Sequence, residues 1–196
     1  MTPPDAPEVP PQDPGRGGQE PYDVKAPDPF GTSPPPARRP EHLILYVDGA
    51  CSGNPGPCGS AAVLKDCDGT TILERARAFG PATNNVAEYQ AIILGLELAA
   101  ELRPRRLTVR SDSELMVRQL AGQYAVKARH LRPLIEKVRK LLAPFESVEI
   151  EHISRTLNTE ADALSRKALE KAKTVDAQLP AEARKGPPKG KSFRLK

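Results

Sequence analysis

The spacing of apolar positions along this chain changes several times, and each change marks an element. Leu43-Ile44-Leu45-Tyr46-Val47 is a short run of strand formers that stops at Asp48-Gly49, the pattern of a central strand buried on both faces. Gly53-Asn54-Pro55-Gly56-Pro57 then supplies a turn. Ser60-Ala61-Ala62-Val63-Leu64 and Thr70-Thr71-Ile72-Leu73-Glu74-Arg75-Ala76 flank Asp68-Gly69, the composition of a hairpin. Three antiparallel strands in succession follow from that order. From Asn85 to about Leu102 the period lengthens: Ala87, Ala91, Leu94 and Leu98 form one stripe, and Ile92, Ile93 and Leu96 widen it, as in a helix largely buried against a sheet. Pro104 stops that helix. Leu107-Thr108-Val109-Arg110 is a fourth strand, delivering Ser111-Asp112 to a short helix that ends near Gly122. A strand–helix–strand order needs a crossover, so the fourth strand is expected to run parallel to the first.

The clearest helical period lies in residues 128–143, where Leu131, Leu134, Ile135, Val138, Leu141 and Leu142 share a face and Arg129, Arg132, Lys137, Arg139 and Lys140 occupy the other. Val148 to Ile153 is a last strand, followed by a loop and a helix beginning near Asn158 with Ala161, Leu164 and Ala168 inward. The sum is an α/β domain over residues 41–170, a mixed five-stranded sheet flanked by helices.

Composition alters the picture at the two ends. The chain has 196 residues, enough for one domain with a full core. Of its 22 prolines, 13 fall in residues 1–40, where few apolar side chains could offset the entropy of ordering, so that stretch reads as a disordered arm. Residues 1–40 carry 4 basic and 6 acidic groups, residues 41–170 carry 17 and 17, and residues 171–196 carry 8 and 2. The basic excess therefore sits in the last segment, a flexible tail that reads equally as a grip on a polyanion by counterion release or as a solubilising end. Cys51, Cys58 and Cys67 are odd in number and lack the paired CxxC spacing of a zinc site, so they are expected as reduced thiols. No apolar stretch approaches the ~20 residues that span a bilayer, and no basic segment precedes an apolar one at the N-terminus. The expectation is a soluble cytoplasmic protein with no membrane association.

Four acids stand where the backbone changes element: Asp48 closing the first strand, Glu88 in the first turn of the long helix, Asp112 closing the fourth strand and Asp162 opening the last helix. Ligand sites in open α/β sheets form at the carboxyl ends of strands. Four carboxylates gathered there would repel one another unless cations occupied the site, and hard oxygen donors suit Mg²⁺ or Mn²⁺. Each acid also has a local explanation. Asn85-x-x-Glu88 and Ser111-x-x-Glu114 are capping-box patterns, Asp162 suits a helix dipole, and Asp48-Gly49 could be a turn.

The surroundings of these acids carry more information. Tyr46-Val47-Asp48-Gly49-Ala50-Cys51-Ser52-Gly53-Asn54-Pro55-Gly56-Pro57, Thr83-Asn84-Asn85-Val86-Ala87-Glu88-Tyr89, Ser111-Asp112-Ser113, and His152 with Asn158-Thr159-Glu160-Ala161-Asp162 closely resemble the four signature blocks of bacterial and archaeal type 1 ribonuclease H, in the family's order. The resemblance covers about residues 42–170 and implies the ribonuclease H-like fold. It also implies an endonuclease that hydrolyses the RNA strand of RNA–DNA hybrids with two Mg²⁺ ions, Mn²⁺ substituting, leaving 5′-phosphate and 3′-hydroxyl ends. By the same resemblance Asp48, Glu88, Asp112 and Asp162 are the metal ligands, with Asp48 bridging, and His152 assists proton transfer or product departure. Gly53, Asn54 and Asn84 match ribose-reading groups, the 2′-hydroxyl being what separates RNA from DNA; as local chemistry they also suit a turn and a cap. Thr83 and Asn85 are expected to shape the same groove, Thr83 toward a DNA phosphate.

Two departures from the family bear on substrate. Glu114 stands where a glutamine often contacts it, and the span from Gly122 to Leu131 has no room for the basic helical protrusion of some bacterial members. Arg129, Arg132, Lys127 and the C-terminal tail are the candidates to replace that grip, the helix face alternatively being merely solvated. The expected partner is an RNA–DNA hybrid, with no obligate protein partner and a monomeric state. The competing readings are a non-catalytic hybrid- or RNA-binding module on the same fold, another nuclease of the superfamily, and a relaxed nuclease that also cuts double-stranded RNA.

Overall fold

The computed structural model describes residues 39–178; the expected arm up to residue 38 and the tail beyond residue 178 lie outside the described residues. Five strands, β1 (His42–Cys51), β2 (Gly56–Lys65), β3 (Thr71–Ala82), β4 (Arg106–Ser111) and β5 (Ser147–His152), form one sheet in the order β3-β2-β1-β4-β5. β1 pairs antiparallel with β2 and β2 with β3, whereas β1–β4 and β4–β5 are parallel. The helices α1 (Asn84–Leu102), α2 (Glu114–Leu120), α3 (Arg132–Leu142) and α4 (Thr159–Gln178) supply the crossovers and the cover. None of the described helices is long and apolar enough to cross a membrane.

Side-chain parity along the strands sets the layers. Leu43, Leu45 and Val47 of β1 and Ala62 and Leu64 of β2 join α1 in the main core. The intervening β2 residues Ala61 and Val63 are equally buried, and so are Ala161, Ala168, Leu169 and Ala172 of α4. Successive strand residues point to opposite faces, so α1 and α4 cover opposite sides of the sheet. Buried residues occur all round α1, from Ala87 to Ala99, because α3 packs on its outer side with Ile135 and Val138 buried. Arg103, in the left-handed conformation at φ 49°, ends α1 with its N–H bonded to Ala99 O, and Pro104 follows.

Two glycines let the helices approach. A side chain on Gly49 would overlap the backbone of Ala87 and Glu88, and one on Gly59 would overlap Ser165 and Leu169. The first turn of α1 and the middle of α4 therefore lie directly on the β1–β2 hairpin.

The structure corrects several expectations. β1 runs through Asp48-Gly49 to Cys51, since antiparallel pairing with β2 extends to the Cys51–Cys58 pair; Asp48 is not in a turn. Those two cysteines, adjacent across the ladder, form a disulfide, and only Cys67 is free; an odd count said nothing about which pair register would bring together. The N-cap of α1 is Thr83, whose hydroxyl accepts from Val86 N at 3.4 Å, and not Asn85. No capping box opens α2: Ser111 Oγ accepts from Ser113 N at 3.1 Å, and Glu114 pairs with Arg118 at 2.7 Å. Residues 171–178, expected in the tail, continue α4 because Ala172 is still buried against the sheet.

Candidate active site

The carboxyl ends of β1 and β4 lie side by side, and the first turns of α1 and α4 reach them from either face of the sheet. Asp48, Glu88, Asp112 and Asp162 consequently line one open cleft of about 410 Å³, together with Asn84 and Arg155. Asn158 ties its floor together. Buried ahead of α4, it donates from Nδ2 to Val47 O at 3.0 Å and to Asp112 Oδ1 at 2.9 Å.

The four acids sit in different surroundings. Asp48 is 5% exposed and accepts a hydrogen bond from Ser165 of α4. Burial raises its pKa, the charges of Asp112 and Asp162 add to that, and Ser165 and Arg155 oppose it. Glu88 is pushed up to about 9, first by burial and then by Asp48 and Asp112, against a hydrogen bond from Gly49 N–H and the charge of Arg155. Its Oε2 is buried with no hydrogen-bond partner. Asp162 is the opposite case: Arg155 Nη2 lies 2.5 Å from Oδ1 and Arg166 Nε 2.9 Å from Oδ2. With Asp162 turned to the arginines and Asp48 to Ser165, no group of three acidic, histidine or cysteine side chains among the described residues stands in ready-made ligating geometry.

The donor set nonetheless fits hard divalent cations. All four groups are carboxylates, and the sealed Glu88 oxygen is a buried acceptor whose cost an ion would remove.

Known proteins resemble this chain in sequence and fold. Residues 46–168 match the family described as Reverse transcriptase-like. RNase H1 of the halophilic archaeon Halobacterium salinarum NRC-1 is 40% identical with a TM-score of 0.65, over 67% of this chain and 99% of that one. The chain belongs to the type 1 ribonuclease H family. LC11-RNase H1, solved in complex with an RNA/DNA hybrid, is 38% identical with a TM-score of 0.62, over 66% of this chain and 98% of that one. The bifunctional protein Rv2228c of Mycobacterium tuberculosis is 39% identical over 131 residues, 66% of this chain. This ribonuclease H family member spans 36% of the length of that relative.

Other residues singled out from the sequence fall in three places. Asn84 lines the acid cleft, and its backbone N–H donates to Asn54 Oδ1 at 3.2 Å, so the turn carrying Asn54 and Gly53 (φ +95°) is latched to the start of α1. Asn85 instead faces a second recess of about 490 Å³ with Leu115, Gln119, Tyr124 and Lys127. Its floor is fixed by Tyr89 OH donating to Gln119 Oε1 at 2.9 Å, and Arg118 stacks 5.2 Å from the centre of the Tyr124 ring. His152, Arg129 and Arg132 are exposed and line neither recess. His152 does sit opposite Ser111 in the β4–β5 ladder, one residue from Asp112.

Sequence reasoning gave no role to four residues of this cleft and its supports: Arg155, Arg166, Ser165, and Asn158, which entered only as part of a signature block. Two had a signal. Arg166 is four residues after Asp162, the spacing of a helical ion pair, and Ser165 is a polar residue on the stripe that α4 turns inward, 0% exposed. Arg155 and Asn158 lie in the turn before α4, where contacts follow from the fold and not from period.

Proposed function

We propose that this chain is an endonuclease that hydrolyses the RNA strand of RNA–DNA hybrids. The observation that carries the reading is the convergence of Asp48, Glu88, Asp112 and Asp162 on one cleft with a buried, unpartnered Glu88 oxygen. The kinship with RNase H1 proteins, one solved on a hybrid, supports it. Two Mg²⁺ ions held by these four carboxylates, or Mn²⁺ in their place, would supply an activated water and stabilise the leaving 3′-oxygen, giving 5′-phosphate and 3′-hydroxyl ends.

The chain's own groups do the remaining work. Ser165 donates to Asp48 and favours its charged form against the burial that raises its pKa, and Asn158 fixes the Asp112 carboxylate. Asn54 and Asn84 at the cleft mouth read the ribose, as an exposed amide can donate to and accept from a 2′-hydroxyl. His152, at the end of β5, passes a proton to or from the phosphate oxygens or helps the product depart. The recess of Leu115, Tyr124 and Lys127 grips the hybrid in place of a basic protrusion, with Arg129 and Arg132 adding screened charge.

Purified protein is incubated with end-labelled hybrid, duplex RNA, duplex DNA and single-stranded RNA, with and without Mg²⁺, beside Asp48→Asn. Cleavage of the hybrid RNA strand only, lost in chelator and in the variant, is expected. Cleavage of duplex RNA as well would establish the relaxed specificity that a missing protrusion favours. Hybrid binding without cleavage in any metal would point to a binding module and end the nuclease reading.

A further inference from the structure

Three basic side chains line the acid cleft: Lys173 pairs with Glu170, and Arg155 and Arg166 turn to Asp162. Arg155 comes from the turn before α4 and Arg166 from one helical turn beyond Asp162, yet both close on the same carboxylate, one on each oxygen. Both arginine side chains remain largely exposed, at 65% and 61%. Exposed ion pairs are weak and exchange readily, because water solvates either partner once they part. A guanidinium fork fits a phosphate as well as a carboxylate. The charge of Arg155 also acts on Asp48 and Glu88, favouring their ionised forms.

We propose that Arg155 and Arg166 form an exchange latch on Asp162. In the metal-free protein they hold its two oxygens, and when substrate and divalent ions arrive they pass to phosphates of the nucleic acid, leaving Asp162 to the ions. The inference rests on the nuclease reading above and adds to it a coupling between the loading of metal and of substrate. Two cations that neutralise the cleft while it is empty become two contacts to the backbone once it is filled. Metal ions alone must compete with the arginines; metal ions with a polyanion need not.

The test measures two affinities separately. Mn²⁺ binding to the full chain without nucleic acid is followed by calorimetry, and binding of a fluorescein-labelled RNA–DNA hybrid is followed by anisotropy in excess chelator. In Arg155→Ala/Arg166→Ala, Mn²⁺ is expected to bind about two- to tenfold more tightly, because its competitors are gone. The hybrid is expected to bind about two- to tenfold more weakly, with a salt slope lower by roughly one to two. Arg155→Lys/Arg166→Lys keeps the charge and loses the fork, so it should retain the salt slope while losing part of the hybrid affinity. In the wild type, hybrid and Mn²⁺ should each tighten the other. Shifts of both affinities in the same direction, or none, in a variant that melts like the wild type would overturn the latch while leaving the nuclease reading intact. A wild-type chain that binds neither Mn²⁺ nor hybrid overturns both.

Discussion

The two walls of the acid cleft solve one problem in opposite ways. On the α1 side, Glu88 lines the cleft with one carboxylate oxygen buried and unpartnered, and its pKa is pushed up to about 9. On the α4 side, Asp162 stands at the surface of a polar helix with an arginine on each oxygen. A carboxylate with a sealed, unpartnered oxygen is destabilised without a cation, whereas one 19% exposed with two arginines in reach finds its partners within its own chain. The chemistry of the acid is the same in both places. What differs is the company each helix brings, mostly apolar residues along α1 and many charged residues of both signs along α4.

Substitutions that move one wall at a time test this contrast. The largest effect is expected from Gly49→Ala, whose added carbon collides with the backbone of Ala87 and Glu88. The α1 wall must then shift, costing about 1–3 kcal/mol and most of the cleavage activity. Thermal melting and hybrid cleavage check it, and an unchanged melting temperature would contradict the close packing.

Next is Glu88→Gln, which in chelator should stabilise the fold by about 1–2 kcal/mol at pH 8, because the folded chain no longer has to take up a proton that the unfolded carboxylate has released. The sign follows from the raised pKa. The native state holds a proton that the unfolded chain releases above 4.5, so the contribution of Glu88 is complete below pH 4.5 and is lost as pH rises toward about 9. The slope reaches at most ~1.4 kcal/mol per pH unit, and Glu88→Gln should flatten it. Added Mg²⁺ should raise the melting temperature more at pH 8 than at pH 6, since proton and cation compete for the same oxygens.

A smaller effect, a loss of about 1 kcal/mol, is expected for Ser165→Ala, which removes the hydrogen bond to Asp48 and leaves a buried acid without it. The smallest is Asp162→Asn in chelator. Its ion pairs, to two largely exposed arginines, contribute no more than about 1 kcal/mol, and less at high salt. A loss as large as that of Gly49→Ala would show that the α4 wall is not the open, exchangeable one described here.

Periodicity carried most of the architecture. The strand run Leu43–Val47, the broad apolar face of α1, the crossover to a parallel β4 and the stripe of α3 are local patterns whose physical reading is direct, and all are present. The four acids could be picked out because they fall at ends of elements, where α/β sheets form their sites. What stayed hidden depended on which distant residues meet. The Cys51–Cys58 bond needs the β1–β2 register, and the partners of Asp162 need the path of the turn before α4. Capping went astray because several serines, threonines and asparagines near Glu88 and Asp112 competed for the same role, and backbone geometry chose Thr83 and Ser113.

The neighbouring positions Asp48 and Gly49 face different layers of the molecule, one toward Ser165 of α4 and the other against the first turn of α1. β1 therefore works as a two-sided key. Sliding it by a single residue would turn the carboxylate toward α1, put a bare backbone where α4 expects an acid, and at the same stroke swing Leu43, Leu45 and Val47 out of the main core. The hydrophobic layer thus polices the alignment of the chemical group, and a misthreaded strand is rejected by the core long before it could be tested as a catalyst.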